Sequence, residues 1–199
     1  MNENLINKGL VICEDGRVRP VWATTSDLLR TYYDNEWGRP LMTEREAFER
    51  LSLECFQAGL SWETVLKKRD AFRKAFADFD VDTVAEFNDA DITRLLENPA
   101  IIRNGNKIRA TINNAKATQK LREHGGLIAF LASFAPTTWK RPASLATAKT
   151  QSEESTAMSK ALKKHGFKFV GPTTCFALME ATGLIDNRVV GASDLEWAV

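Results

Sequence analysis

The chain has 199 residues, 44% of them hydrophobic, and this length and composition predict one domain with a substantial buried core. Its formal net charge of +1 excludes a polyelectrolyte, so any nucleic-acid-binding surface has to come from local clusters of basic residues. Three cysteines at distant positions argue against a disulfide framework and favour a reducing cytoplasm, and we find no pattern of a signal peptide or a membrane span.

The predicted elements are helices joined by short connectors, after a polar stretch at residues 1–20 that we interpret as an irregular arm. We expect residues 21–199 to form a single helical domain. A capping box of Thr43 and Glu46 starts the helix that reads TEREAFERLSLECFQAGL, and Ser61 caps the following helix, SWETVLKKRDAFRKAF. No segment alternates between apolar and polar residues for long enough to form a sheet, so the predicted fold class is all-α.

The second half of the chain continues the helical pattern. A short helix stops at Pro99, and the later helices end at glycines, namely Gly125, Gly166 and Gly183. The segment FKFVG at 167–171 fits either a brief strand or an extended connector. The longest irregular stretch, 135–150, either links two lobes or wraps the surface.

The nine residues from Tyr32 to Pro40, YYDNEWGRP, crowd three aromatic rings and two acids into a short stretch. Such a mixture suits the wall of a binding pocket. More commonly, such a mixture marks a half-buried structural corner where a helix ends and the chain turns. The stretch alone does not decide between these alternatives.

Glu54 lies on a helix face that is otherwise apolar. Ala47, Leu51, Glu54 and Ala58 follow one another at helical spacing and therefore share that face. A carboxylate in such a place is paired, protonated or used in function. The structural alternative is a glutamate that reaches out to solvent or to an arginine.

Leu60 follows this helix in the sequence QAGLSW, between Gly59 and the cap residue Ser61. An apolar side chain on a tight turn between polar neighbours suits a wedge of the kind that opens a base stack. The more ordinary alternative is a core leucine in a helix–helix connection.

The connector IIRNGNKIRA predicts a helix–hairpin–helix with Gly105 in the turn, and the free N–H groups near Asn106 and Lys107 could bind an anion. Two segments around it carry basic residues and no acid. They contain Arg103, Lys107, Arg109, Lys116, Lys120 and Arg122 in the first, and Lys160, Lys163, Lys164 and Lys168 in the second. Either run alone fits a solvated helix face, but both runs together with a hairpin favour contacts with DNA phosphates.

The blocks YYDNEWGRP, LECFQAGLSWETVLKKRDAFRKAF, IIRNGNKIRATINNAKA and SKALKKHGFKFVGPTTCFALMEATGLIDNRVVG resemble the bacterial 3-methyladenine DNA glycosylase I family, of the helix-hairpin-helix superfamily. The similarity covers roughly residues 21–192. It implies packed helices with a lesion pocket between lobes, a hairpin that grips duplex DNA, and a damaged nucleotide that is flipped into the pocket.

The resemblance also implies roles for matching positions. Glu54 matches the carboxylate that contacts the methylated adenine, and it is the one candidate catalytic residue. The predicted base pocket is formed by aromatics, Tyr32, Trp37, Trp62 and Trp22. The predicted DNA contacts are Gln57, Leu60, Arg103, Asn104, Gly105, Lys107, Lys163 and Lys164, with Leu60 filling the gap left in the duplex.

One feature departs from the family, whose members usually join their termini with a zinc ion held by two cysteines and two histidines. The four matching positions here are Pro20, Tyr33, Arg188 and Ala192. We therefore predict no zinc clamp and no other cofactor, since the only histidines, His124 and His165, are far apart in sequence. Arg188 is expected to pair with an acid such as Asp34, and Tyr33 to pack against the C-terminal segment.

The expected activity is monofunctional release of 3-methyladenine from alkylated duplex DNA, with the free base as product and a monomer in the cytoplasm as the active form. No lysine occupies a nucleophilic position that would predict lyase chemistry. Two alternatives remain open: a glycosylase with a shifted alkylpurine preference, and a non-catalytic DNA-binding protein on the same scaffold. The aromatic residues and Glu54 argue against the non-catalytic protein, because a simple binder needs no pocket for a cation.

Overall fold

A computed structural model describes residues 2–194, and it confirms the all-α fold class. Trp197, whose role the sequence leaves open, lies outside this range. The helices are α1 (Asn2–Asn7), α2 (Asp27–Asn35), α3 (Glu44–Gln57), α4 (Trp62–Lys67), α5 (Arg69–Ala75), α6 (Val81–Ala85), α7 (Asp89–Glu97), α8 (Gly105–Leu121), α9 (Gly126–Ala132), α10 (Glu153–Lys164) and α11 (Pro172–Ala181). The strands are β1 (Leu10–Ile12) and β2 (Val18–Pro20), and short 3-10 turns lie at 21–24, 77–79, 122–124 and 145–147.

Local sequence signals set most helix starts. Thr43 and Glu46 form the predicted capping box of α3, and the Ser61 hydroxyl accepts the Thr64 N–H at the start of α4. The expected long helix after Ser61 is instead two helices, because Lys68 has non-helical backbone angles (φ −102°, ψ 0°) and separates α4 from α5. Asn104 caps α8 by accepting the Lys107 N–H.

The prediction that residues 1–20 form an irregular arm is wrong. Strands β1 and β2 pair antiparallel, with Leu10 opposite Pro20, and Leu10 is buried against Val189 and Ala192. Val18 bonds to Ser193 in both directions, since its N–H donates to the Ser193 hydroxyl and its carbonyl accepts the Ser193 N–H. Val18 and Ser193 lie 175 residues apart in sequence, so local patterns could not reveal this contact.

Helix α3 is the centre of the core. It packs against α4, α8, α9 and α11, and all residues from Leu51 to Phe56 are buried. Phenylalanines pack beside it, with ring centroids 4.5 Å apart for Phe56 and Phe72. Because α3 is covered on nearly every side, its one carboxylate in this stretch lies inside the protein rather than on a solvated face.

The two stretches that the sequence left open are both connectors. Residues 167–171 contain no strand, and 135–150 wrap the surface with one 3-10 turn. Within the wrapping stretch, Trp139 packs 5.9 Å from Phe176, and Arg141 donates to the carbonyl oxygens of Arg188 and Val189. No helix within residues 2–194 is long and apolar enough to cross a membrane.

Candidate active site

Glu54 lies in the last turn of α3 and is only 3% exposed. Its Oε2 atom is buried and accepts no hydrogen bond from any residue that the structure describes. The pKa of the Glu54 carboxyl is raised to about 8, mainly by burial and in addition by the nearby Glu180, whereas Arg50 opposes the shift. A buried carboxyl without a partner favours its neutral form until a cation or a hydrogen-bond donor arrives.

A second carboxyl, Glu180 on α11, is partly buried and lies near Glu54; it is not among the site residues that the sequence predicts. The Asn187 amide donates to its Oε1 atom over 2.7 Å. Burial raises the pKa of Glu180 to about 7, and the Asn187 hydrogen bond lowers it. The available signal was that Glu180 is the only charged residue of an otherwise apolar helix, PTTCFALMEA.

The four aromatic residues predicted to form the pocket come together in one cluster. The Tyr32 and Trp62 rings lie 5.2 Å apart, and Trp22 and Trp37 lie 5.9 Å apart, edge to face. All four pack around the buried side chains of Leu29 and Leu66. Tyr32 is buried and the three tryptophans are partly buried, as the walls of an accessible pocket would be.

The stretch YYDNEWGRP serves as both a helix end and an aromatic wall. Helix α2 ends at Asn35, and Trp37 then stacks on Tyr33 with ring centroids 5.4 Å apart. The turn docks on the end of α11, where the Gly38 N–H donates to the Ala181 carbonyl. Gly183 makes this contact possible, because a Cβ atom there would lie 2.3 Å from the Gly38 oxygen. The aromatic wall is therefore fixed to the helix that carries Glu180.

Arg50 connects the aromatic cluster to a network of charges. Its guanidinium donates to the Tyr32 hydroxyl over 3.3 Å and to Glu36, which also accepts two hydrogen bonds from Arg69. Burial raises the pKa of the Tyr32 hydroxyl, so this group remains protonated. The Trp62 Nε1 atom is buried and lacks a hydrogen-bond partner among the described residues. A bound heterocycle could therefore satisfy it.

Leu60 projects from the turn between α3 and α4. Its side chain is 42% exposed, and its N–H donates to the Gln57 carbonyl over 2.6 Å. Gly59 adopts φ +82°, which closes the turn. This exposure excludes the alternative of a core leucine. Gln57 is partly buried beside the turn.

The predicted hairpin exists between α7 and α8. Arg103 and Asn104 are exposed, and Gly105 begins α8. A Cβ atom at Gly105 would lie 2.9 Å from the Arg109 guanidinium, so a larger residue would displace that side chain. The start of this 17-residue helix presents N–H groups that suit an anion.

Lys107 does not offer its ammonium to solvent, and the prediction that its side chain contacts DNA is wrong. It is 6% exposed, and its Nζ atom donates to the carbonyl oxygens of Phe56 and Ala58 over 2.8 and 2.6 Å. The ammonium instead satisfies carbonyls at the end of α3, which otherwise lack helical partners. Lys163 and Lys164 at the end of α10 are exposed, and their contact with DNA stays a prediction.

The positions of the family's metal ligands hold a different arrangement. Arg188 pairs with Asp186 and Asp194, so the expected pairing with Asp34 is wrong. Asp34 instead accepts hydrogen bonds from the buried guanidinium of Arg19. Nowhere in residues 2–194 do three histidine, cysteine, aspartate or glutamate side chains group as metal ligands would. Pro20 and Ala192 have no ligating atom in their side chains, so this set does not fit a zinc ion.

Comparisons with known proteins agree with this geometry. The family model for methyladenine glycosylases matches residues 22–194. DNA-3-methyladenine glycosylase 1 of Escherichia coli (strain K12) is 42% identical over 173 residues, which are 85% of this chain and 92% of the relative.

Solved structures give the same result. A crystal structure of 3-methyladenine DNA glycosylase I superposes with a TM-score of 0.83 at 42% identity, covering 87% of this chain and 97% of the other. The Staphylococcus aureus enzyme, studied for its recognition of 3-methyladenine, gives 0.81 at 36% identity, covering 86% and 93%. The resemblance first seen in the sequence blocks is confirmed: the chain belongs to the methyladenine glycosylase family.

Proposed function

We propose that this chain is a monofunctional DNA glycosylase of base-excision repair that hydrolyses the N-glycosidic bond of 3-methyladenine in alkylated duplex DNA. The relatives and solved structures to which the chain is similar are named for this activity. One structural observation carries the assignment to a particular site. The Glu54 carboxyl is buried and has an oxygen without a hydrogen-bond partner among residues 2–194, and the aromatic residues predicted to form the pocket come together in one cluster.

Charge complementarity supports recognition of an alkylated base. An adenine methylated at N3 carries positive charge in the nucleotide, whereas ordinary adenine is neutral. A cation over an electron-rich ring gains about 0.5–2 kcal/mol, and Tyr32, Trp37 and Trp62 offer such rings. An ionised Glu54 would add attraction and a charge-assisted hydrogen bond that neutral adenine cannot match. The entering cation would favour loss of the Glu54 proton, since opposite charge favours the ionised carboxylate.

The same charge explains the chemistry that we assign to the pocket. The glycosidic bond of 3-methyladenine is already weak, because the departing base leaves as a neutral molecule. Strong general-acid catalysis is therefore unnecessary. We propose that base flipping, stacking and the Glu54 carboxylate together stabilise the transition state, and that the free base is released as a product.

DNA contacts are proposed for the surface next to this site. Leu60 would fill the gap left by the flipped nucleotide, with Gln57 beside it. Arg103, Asn104 and the N–H groups that begin at Gly105 would hold phosphates at the hairpin. Lys163 and Lys164 would provide further phosphate contacts.

We further propose that the protein acts as a monomer, with no metal or other cofactor. The residues at the four clamp positions support this proposal because they cannot form a tetrahedral zinc site. In their place, the Val18–Ser193 hydrogen bonds join the two ends of the described chain, and the Arg19–Asp34 ion pair ties β2 to α2.

The direct test is chromatography of bases released from methylated duplex DNA by the wild type and by Glu54→Gln. We expect prompt release of 3-methyladenine by the wild type and a loss of at least tenfold in the variant, with DNA binding retained. Release of other alkylpurines in preference to 3-methyladenine would indicate a shifted substrate. The absence of any released base, with DNA binding intact, would contradict glycosylase activity and favour a non-catalytic binder.

A further inference from the structure

Phe169 combines two features that rarely occur together. Its side chain is 41% exposed, and its backbone adopts φ +56°. Bulky residues seldom occupy this left-handed region, where glycine is favoured. Such conformations persist where the surrounding structure enforces them, and they concentrate at functional sites. An exposed aromatic ring in this conformation therefore requires an explanation.

The surrounding structure does enforce it, because side chains from three helices bind the backbone of residues 166–170. The Asn114 amide accepts from the Lys168 N–H (2.8 Å) and donates to the Lys168 carbonyl (3.1 Å). Three further side chains donate to carbonyls: Asn113 to Gly166 (2.7 Å), Cys55 Sγ to Phe169 (3.3 Å) and Ser159 to Val170 (2.6 Å). The neighbouring side chains of Phe167 and Val170 are buried. The segment is thus fixed on both sides, with only Lys168 and Phe169 directed outward.

Phe169 is anchored to the end of α3, the helix that leads into the Leu60 turn. Its carbonyl is bonded to Cys55, which lies two residues before the end of α3 at Gln57. The carbonyls of Phe56 and Ala58 in the same turn bind the first turn of α8 through Lys107. Leu60, Phe169 and the start of α8 are therefore grouped around one helix end.

The charge around Phe169 is positive. Lys168 is its exposed neighbour, and Lys163 and Lys164 are exposed at the end of the helix that leads into this segment. An aromatic ring among lysines, next to an apolar wedge, has the composition of a surface that binds unstacked nucleic-acid bases.

We propose that Phe169 is a second DNA-contacting residue, whose ring stacks on a base that is unstacked when Leu60 occupies the gap in the lesion-containing duplex. This inference rests on the proposed function. Flipping one nucleotide leaves its opposite base without a partner, and every base offers a π face to an aromatic ring. Leu60 fills the vacated space, Phe169 stabilises the unpaired base, and the lysines hold the flanking phosphates.

The test is the affinity for a duplex that carries a tetrahydrofuran abasic analogue opposite 2-aminopurine, measured by fluorescence anisotropy. Phe169→Gly removes the ring and should lower the affinity about 5- to 100-fold, the range expected for one base–aromatic stack. Phe169→Tyr keeps the ring and should stay within about twofold of the wild type by the same criterion. The wild type should also change 2-aminopurine emission more than Phe169→Gly does.

Two controls separate DNA contact from a structural role. Ile6→Ala truncates another exposed apolar residue, on α1, and should leave the affinity unchanged. The thermal midpoint of Phe169→Gly should equal or exceed that of the wild type, since glycine adopts a positive φ readily. If Phe169→Gly fails to fold, Phe169→Leu provides the same comparison, because it keeps apolar volume without a flat ring.

The inference is overturned if Phe169→Gly binds this duplex as tightly as the wild type, or if Phe169→Tyr loses affinity equally. A concentration-dependent dimer that disappears in Phe169→Gly would also overturn it, because the ring would then form a contact between two copies of the chain. The binding assay requires no base release. Base release by the wild type with no effect at Phe169 therefore refutes only this inference, whereas loss of affinity at Phe169 without base release refutes only the proposed activity.

Discussion

The ammonium of Lys107 caps the end of α3 by donating to the Phe56 carbonyl over 2.8 Å, with a second hydrogen bond of 2.6 Å to Ala58. This contact joins the first turn of the hairpin helix α8 to the turn that carries Leu60. The DNA-contacting surface that we propose is therefore held together by a buried lysine rather than only by surface charge.

Lys107→Met keeps the aliphatic stem and removes the ammonium, which leaves two carbonyls without their donor. We expect a loss of about 2–4 kcal/mol in the free energy of unfolding, since hydrogen bonds from charged groups are strong and unsatisfied buried groups are unfavourable. Chemical denaturation measures this loss. Lys116→Met, on the exposed face of the same helix, should change the stability by less than about 0.5 kcal/mol. Equal effects of the two substitutions would contradict the capping role.

Glu54→Gln should stabilise the protein in a pH-dependent way. The pKa of Glu54 is raised from 4.5 to about 8, so between these values the folded protein holds a proton that the unfolded chain has released. Stability of the wild type therefore falls as pH rises through this window, and the variant lacks this loss. We expect the variant to gain on the order of 1–3 kcal/mol by pH 8. Thermal unfolding across pH measures the gain. Glu86→Gln, at an exposed position, is the control and should show no such pH-dependent gain in stability.

Glu180→Gln should shift the pH dependence of base release. The charge of Glu180 raises the pKa of Glu54, whereas Arg50 lowers it, and the Tyr32 hydroxyl stays protonated. Because kcat/KM reports ionisation of the free enzyme, the pH at which kcat/KM falls on the acidic side should follow the pKa of Glu54. We expect this acidic limb of the profile to move to lower pH in the variant. A limb that stays in place, or moves to higher pH, would argue against coupling of the two carboxyls. Glu86→Gln again serves as the control.

The Arg19–Asp34 ion pair should contribute strongly to stability. Arg19 is 2% exposed and donates to both Asp34 and Asp15, which hold the pKa of Arg19 above its usual value. Arg19→Met should lower the free energy of unfolding by about 3–5 kcal/mol, as expected when one partner of a buried pair is removed. Arg30→Met breaks an exposed pair with Asp27 and should cost less than about 1 kcal/mol. Comparable losses would contradict this difference.

Local patterns predicted the helices, the capping box at Thr43 and the place of Glu54 on an otherwise apolar helix face, because caps and helical spacing depend on neighbouring residues; they left open whether Glu54 is buried. The aromatic cluster of Tyr32, Trp37, Trp62 and Trp22 came from the family resemblance. Lys107 was misassigned because a lysine in a basic run gives no local sign that carbonyls from another helix will enclose it. The pairing of β1 with β2 and the Val18–Ser193 contact depend on the whole fold, so the first 20 residues were misjudged.

Calorimetric binding of 3,9-dimethyladenine, which carries the positive charge of the alkylated nucleotide, and of neutral 9-methyladenine tests most directly whether Glu54 selects the alkylated base; both ligands are compared on the wild type and on Glu54→Gln. We expect the wild type to bind the cationic base at least tenfold more tightly than the neutral one, and the substitution to remove most of this difference. Equal affinity of the wild type for the two bases, or full discrimination by Glu54→Gln, would contradict the assignment of Glu54 as the group that selects the alkylated base.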